Sequence, residues 1–337
     1  MLVNSRQMPD HMTLHHLNLC RSFKIPIMVV FTKIDGCPDH TLATAEEEVI
    51  KMLVSPEIGK KPYHVNSTDD IAGAIDQLSQ GAEEPDTVPM FRISSVTGEG
   101  IELLQKIFFS LPKRRRHAQK TKRKFEFLVE DVFDVPAVGS VVAGFVNAGE
   151  LSVGAKSVVY VGPMDDGSFV KATATSAHIA RINTTHITAG QSACLALSLD
   201  ADVQSRLRPG MVVLQEGPTS TMQFNAEICV LQGENTTIRE SHQAFVHILN
   251  VRQTAVARDI ELVEHHPPTD SDEEMSEKNE DNKENVVLQA GSRAKVRFEF
   301  TQRPEYVRPG MRILFRDGRV RGVGLVTSVP TESSVQR

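Results

Sequence analysis

Apolar residues in the first third of the chain fall into short blocks separated by helical stripes. Ile25-Pro26-Ile27-Met28-Val29-Val30-Phe31 is apolar on both faces and bounded by proline and glycine, which predicts a strand over 25–31 buried in a parallel sheet. Ahead of it, Leu14, Leu17 and Phe23 share one face of a predicted helix over 12–23, with Thr13 near its start. Behind it, Leu42, Ala45, Val49, Met52 and Leu53 recur at helical spacing over 41–54, with acids early and Lys51 late. The stretch 69–80 reads either as a further helix or as an irregular insertion, and 83–86 as a loop. A second short strand is predicted over 88–93, followed by a glycine-containing turn and a helix over 101–111.

From Phe125 the period changes to two. Strands are predicted over 125–129, 140–146, 157–161, 169–178 and 192–197, separated by turns carrying Gly, Asn or Asp, the pattern of a small antiparallel barrel. Gly139, Gly144, Gly149 and Gly154 recur every five residues, as bulges and tight turns at barrel corners would require. A second β-rich unit begins near Leu207-Arg208-Pro209-Gly210-Met211, with strands over 224–231, 243–250, 254–263, 292–300, 312–315 and 322–329. The expected organisation is an α/β region 1–112, a basic linker 113–124, and two barrels over 125–203 and 204–330. An acidic insertion over 264–285 interrupts the second barrel; it has too few apolar residues to offset its ordering entropy and is expected to be disordered. Its Ser271 and Ser276 lie among acids, as acidophilic kinases prefer, although a plain spacer is the favoured reading.

Length and composition narrow the picture without naming a chemistry. At 337 residues the chain has room for two or three domains. A net charge of −6 gives no global basic field, so nucleic-acid contact would have to be local and DNA is not expected as a partner. Cys20, Cys37, Cys194 and Cys229 show neither paired nor metal-ligand spacing and read as reduced thiols of a cytoplasmic protein. His15-His16 and His265-His266 lack companion ligands, so no metal site is expected. No apolar run reaches the ~18–20 residues a membrane span needs, and the start lacks the apolar core of a signal peptide.

Three stretches carry candidate chemistry. Thr32-Lys33-Ile34-Asp35 ends the first predicted strand, at the carboxyl end where parallel sheets place ligands. It fits the [NT]KxD pattern with which guanine-nucleotide-binding proteins read the base. A carboxylate at Asp35 accepts from guanine N1–H and the 2-amino group, donors that adenine lacks. Lys33 would lay its aliphatic stem along the purine and Thr32 would tie neighbouring loops together. Ser94-Ser95-Val96-Thr97-Gly98-Glu99-Gly100 ends the second strand, where a backbone N–H, that of Ser95, would donate to guanine O6. Alone, each is an ordinary turn; paired at two strand ends they form a specific signal. The third stretch is the basic run over 113–124, a solvated linker with room for a phosphate-backbone contact or a nuclear-localisation patch.

Together these residues resemble translational GTPases of the elongation factor Tu type. Gly139-Ser140-Val141-Val142-Ala143-Gly144-Phe145-Val146 with Gly149-Glu150-Leu151-Ser152-Val153-Gly154 matches the register of that family's second domain. Ala189-Gly190-Gln191 and Arg208-Pro209-Gly210-Met211-Val212 match its end, and Phe224-Asn225-Ala226-Glu227-Ile228 matches the third domain. Met12-Thr13-Leu14-His15-His16-Leu17 and Arg252-Gln253-Thr254-Ala255 resemble the eukaryotic GTP-binding protein 1 and 2 group within it. The fold implied is multi-domain α/β plus all-β: the carboxyl half of a P-loop-type GTPase sheet followed by two antiparallel barrels. The resemblance implies GTP as ligand, read by Thr32, Lys33, Asp35, Ser94, Ser95 and Val96, with magnesium expected in a full-length form. It implies RNA, ribosomal or RNA-surveillance partners. Departures are equally clear. There is no GxxxxGK[ST], and the single Gly59-Lys60 pair has Val54 and Lys61 where the motif needs Gly and Ser/Thr. Asp70-Ile71-Ala72-Gly73 follows the base-reading motif instead of preceding it. The chain is therefore expected to begin partway through its nucleotide domain, with the 25–31 strand or its neighbour presenting an open apolar edge. The alternative is a nucleotide-independent scaffold of two barrels that binds RNA or protein.

Overall fold

The computed structural model describes residues 1–56, 58–79, 85–111, 116–217, 219–231, 238–264, 287–289, 291–317 and 319–330. The expected disordered insertion, with Ser271 and Ser276, and the first residues of the basic linker lie outside these. Two compact units result, Met1–Arg114 and Arg115–Arg337.

The first unit is a three-layer α/β sandwich. Its strands are β1 (Leu2–Asn4), β2 (Val29–Thr32), β3 (Lys61–His64) and β4 (Thr87–Arg92); its helices are α1 (His11–Ser22), α2 (Asp39–Val54), α3 (Thr68–Ser79) and α4 (Ile101–Ser110). All strands run parallel in the order β1-β2-β4-β3. Alternation along the strands sends Val29, Phe31 and Met90 toward Leu17 of α1 and Val49 and Leu53 of α2. Val30 and Phe91 face the other way, onto Ile71 and Ala74 of α3 and Ile107 of α4. Both faces are thus covered, which is why the strands carry near-continuous apolar runs. Asp10 caps α1, its carboxylate accepting from Met12 and Thr13 N–H at 3.1 Å each. The ambiguous stretch 69–80 is the amphipathic helix α3.

Three features differ from expectation. The strand expected over 25–31 spans only Val29–Thr32, and Ile25 is exposed, because Lys24 adopts φ 52° and turns the chain out of α1. Lys61-Pro62-Tyr63-His64 forms a strand although it carries no apolar run; as an edge strand it needs only one buried neighbour. At the other edge, β1 pairs with β2 through Val3↔Phe31, so β2 is flanked on both sides and the exposed apolar edge shrinks to the three residues of β1.

In the second unit a short helix, α5 (Arg116–Thr121), precedes two closed barrels. The first uses β5 (Glu126–Val135), β6 (Gly139–Ala148), β8 (Val158–Gly162), β9 (Val170–Ile179), β12 (Ser192–Ser198) and β13 (Val212–Leu214). They run in the order β9-β12-β6-β5-β13-β8, and β8 pairs back onto β9. β7 (Glu150–Ser152) pairs with β11 (His186–Thr188), β10 (Ile182–Thr184) extends β9, and a one-turn helix α6 (Ala201–Gln204) leads toward β13. The pairing of Val212–Leu214 with β5 and β8 puts the expected 203/204 boundary inside the first barrel's sheet. The second barrel closes as β14 (Gln223–Val230), β17 (Arg293–Phe300), β16 (Val251–Glu264), β15 (Gln243–Ile248), β18 (Arg312–Asp317) and β19 (Arg319–Ser328). Closure leaves neither barrel a sheet edge. At Gly144 a Cβ would lie 1.9 Å from the Leu128 carbonyl oxygen, and the β5–β6 register shifts between Val129 and Asp131 at that point. The barrels share a packed face: Leu128, Val212 and Leu214 join the core that holds Phe224, Phe298 and Phe315.

Candidate functional site

The site forms where the carboxyl ends of β1, β2 and β4 meet. Past Thr32 the chain turns sharply, with Lys33 at φ 62° and Gly36 at φ 66°. A lysine in the left-handed region is uncommon, and it leaves this side chain exposed at the rim. The Thr32 hydroxyl donates to the Val3 carbonyl at 3.2 Å, and its carbonyl accepts from Ser5 N–H at 3.1 Å.

The two predicted motifs meet through one contact. Ser94, wholly buried, donates its hydroxyl proton to Asp35 Oδ1 at 2.5 Å across 59 positions of sequence. The Ser94 hydroxyl oxygen in turn accepts from Val96 and Thr97 N–H at 3.1 Å each, folding the loop back over itself. Gly98 N–H closes on the Ser94 carbonyl, and Ser94 N–H on that of Glu99, both at 3.0 Å. Ser95 and Val96 are left exposed beside the Asp35 carboxylate, Val96 at 83%. Gly100, at φ 71°, starts α4 where a Cβ would stand 2.0 Å from the Arg92 carbonyl oxygen, so only glycine lets the loop pass so close to β4. Arg92 is itself clamped to the buried Glu46 of α2 by two bonds of 2.5 and 2.6 Å, which fixes β4 against that helix.

Residues at the chain start also reach the site and escaped the sequence reading. Cys37 Sγ donates to the Ser5 carbonyl at 3.2 Å. The Arg6 guanidinium donates to the Asp35 carbonyl and stands 3.6 Å from Asp35 Oδ2. The one signal was Leu2-Val3, too short to show a period.

The arrangement brings the Asp35 carboxylate to the buried Ser94 hydroxyl, next to an exposed loop at Ser95 and Val96, with Lys33 exposed two residues before Asp35. No three His, Cys, Asp or Glu side chains converge among the described residues. Elsewhere, the outer wall of the first barrel carries a trough of about 610 Å³ with a small-residue, apolar floor at Val141, Ala143 and Gly144 and a polar rim at His178 and Arg181. In the basic linker, Lys120 Nζ donates to Asn147 Oδ1 at 3.1 Å and Lys124 pairs with Glu216 at 2.8 Å, so part of its charge is held by the barrels' own polar groups.

Comparison with known proteins places these features. The profile of the elongation factor Tu GTP binding domain matches residues 1–113. GTP-binding protein 2 of Homo sapiens is 35% identical over 322 residues, which cover 94% of this chain and 48% of that protein. GTP-binding protein 1 of Xenopus laevis is 32% identical over 324 residues, covering 94% and 44%. The chain thus spans about half the length of the curated relatives it matches. Among solved structures, translation elongation factor SelB from Methanococcus maripaludis superposes with a TM-score of 0.67 as the apo form and 0.69 in complex with the GTP analogue GppNHp. Both have 17% identity and cover 98% of this chain, with 63% and 65% of the respective SelB chains covered.

Proposed function

From the premise that the chain belongs to the translational GTPase superfamily of the elongation factor Tu type, we propose that the loops holding Thr32, Lys33, Asp35, Ser94, Ser95 and Val96 read the guanine of GTP. The Ser94–Asp35 bond carries this reading, because it joins two motifs from distant strands into one polar edge. In this reading Asp35 accepts from guanine N1–H and the 2-amino group, and the Ser95 N–H donates to O6. Lys33 covers the purine with its methylene stem, Ser94 holds the two loops together, and Thr32 ties the first of them to the segment Val3–Ser5.

Magnitudes limit what these residues achieve unaided. Two charge-assisted bonds and one neutral bond contribute on the order of 4–7 kcal/mol, against an association cost of about 4–15 kcal/mol. Phosphate and magnesium contacts normally close that gap, and phosphoryl transfer depends on them almost entirely. No GxxxxGK[ST] lies in this sequence, so phosphoryl transfer is not assigned to the described residues. The chain as given binds GTP weakly, keeps a preference for guanine, and does not hydrolyse GTP at a measurable rate.

Titration with fluorescent GTP and ATP tests both halves of the proposal. Weak binding that favours GTP, lost in Asp35→Asn, is the expected outcome. Sub-micromolar, magnesium-dependent binding would overturn the weak-binding half, and equal affinity for GTP and ATP would overturn the base assignment.

The partner class follows from the same family. A cytoplasmic RNA or a ribosome-associated factor is the partner we infer for the barrels. Arg181 and His178 line the trough together with Val141, Ala143 and Gly144, and this mixture of a cation with small apolar groups suits an unpaired base next to a phosphate. Among the described residues no helix is long and apolar enough to cross a membrane. Filter binding of a single-stranded RNA at two salt concentrations checks this; affinity indifferent to both salt and Arg181→Ala would count against it.

A further inference from the structure

One oxygen of the Asp35 carboxylate accepts a hydrogen bond from this chain, and the other lies near a cation. Ser94 donates to Oδ1, and the Arg6 guanidinium faces Oδ2 from 3.6 Å while bonding the Asp35 carbonyl. Arg6 is no loose surface cation that happens to lie nearby. Its backbone is held by Asn4 Oδ1, which accepts from Arg6 N–H at 3.2 Å, and by the Ser5–Thr32 bond one residue earlier. Cys37 fastens the same turn from the other side through the Ser5 carbonyl. A Cβ on Gly36 would stand 3.3 Å from the Arg6 guanidinium, so the side chain lies directly over the turn that carries Asp35. Its own side chain is 49% exposed and that of Asp35 is 23% exposed, so the guanidinium can swing into water without disrupting a core.

We propose that Arg6 tunes base selectivity at this site by holding the carboxylate oxygen that a purine 2-amino group would otherwise take. The inference rests on the base-reading assignment above. A purine carrying both N1–H and a 2-amino group needs two carboxylate oxygens, whereas one carrying N1–H alone needs one. With Arg6 in place, the 2-amino group bonds an oxygen whose charge is already partly offset by a guanidinium 3.6 Å away, so that bond returns less. Guanine therefore loses most of its advantage over hypoxanthine, which has N1–H and O6 but no 2-amino group. Adenine, lacking N1–H and presenting an amino group in place of O6, is still rejected. Arg6 acts here as a positioning and selectivity residue, with no role in bond making.

The experiment measures binding of guanosine, inosine and adenosine to the full chain and to Arg6→Ala by ligand-observed NMR, which reaches millimolar affinities. The unmodified chain is expected to bind guanosine and inosine within about threefold of one another. In Arg6→Ala the guanosine preference should widen to about tenfold, the value of one bond to a charged acceptor. Arg6→Gln, which keeps an N–H donor on a shorter side chain and removes the charge, should fall between. A guanosine preference near tenfold in the unmodified chain, unaltered by Arg6→Ala, would overturn the inference while leaving the base assignment standing. Adenosine binding as well as guanosine, or no nucleoside binding at all, would remove the base assignment and this inference with it. A thermal-unfolding cycle of Arg6→Ala, Asp35→Asn and the double variant reads the contact independently of any ligand. Non-additive shifts in Tm are expected, and strict additivity would overturn the inference even if the base assignment held.

Discussion

In the α/β unit the buried Glu46 is met by one half-exposed guanidinium, that of Arg92. At the barrel junction Glu126 and Glu305, 3% and 2% exposed, each lie within a ring of donors. Glu126 accepts from Asn147 at 2.6 Å and Tyr306 at 3.2 Å and pairs with Arg308 at 2.5 Å. Glu305 accepts from Gln253 at 3.0 Å and meets Arg208 and Arg303 at 3.3 Å each. Asn250 adds two bonds across the same junction, to the Val129 and Met211 carbonyls at 3.0 and 2.7 Å. The contrast teaches where rigidity resides. Several donors surround each buried carboxylate at the barrel junction, whereas the Asp35 and Ser94 loops are joined to one another by a single side-chain hydrogen bond.

Several measurements press on this contrast. The largest effect is expected from Gly144→Ala, which drives a methyl group into the Leu128 carbonyl and should destabilise the barrel unit by about 3 kcal/mol or more in denaturant unfolding. A near-neutral result would mean that the barrel wall yields as readily as the loops. Glu305→Ala strands Arg208 and Arg303 at the junction and should destabilise by about 3 kcal/mol, with Glu305→Gln markedly milder because it retains acceptors. Glu46→Ala in the α/β unit should lower stability by only about 1–2 kcal/mol, since the released Arg92 reaches solvent. A larger loss there than at Glu305 would reverse the ranking of the two units. In limited proteolysis of the whole chain, cuts are expected first within the α/β unit, with the barrels surviving as a folded pair; protected α/β fragments alongside degraded barrels would refute the comparison.

The smallest effect is in the pH response, where the two units differ in sign. Backbone N–H groups hold Asp10 below its ordinary value of 3.8, and Asn66 and Ser67 do the same for Asp70. The support these two lend is fully present above 3.8 and is lost as pH falls through their depressed folded values. Burial pushes Glu305 above its ordinary 4.5, with Arg208 and Arg303 offsetting only part of the shift. Its folded form holds the proton more tightly, so its contribution is present below 4.5 and is lost as pH rises through the raised value. Acidification should therefore loosen α1 and α3 before it loosens the barrel junction. Hydrogen exchange followed segment by segment between pH 5 and pH 3 (on the order of the carboxylate range) checks this, and earlier exchange at the junction would contradict it.

Much of this molecule was legible along the chain. Period-two alternation marked most strands of both barrels, because a residue's inward or outward direction in a pleated strand is a local property. The amphipathic stripes of α1, α2 and α4 were legible for the same reason, and so were the two candidate loops, whose residue types at strand ends carry their meaning in the sequence itself. What escaped was decided by partners far away. Leu2–Asn4 is a strand only because Val29–Thr32 offers it a parallel neighbour, and Lys61–His64 only because Thr87–Arg92 does. Val212–Leu214 belongs to the first barrel because β5 and β8 lie on either side of it, a fact absent from its own three residues. The same holds at the site. Sequence alone singled out Asp35 and Ser94 as candidates, but only the tertiary structure decided that they touch and that Arg6 lies beside the carboxylate. Residue type is inherited from the chain, whereas hydrogen-bond geometry exists only after non-local strands have paired.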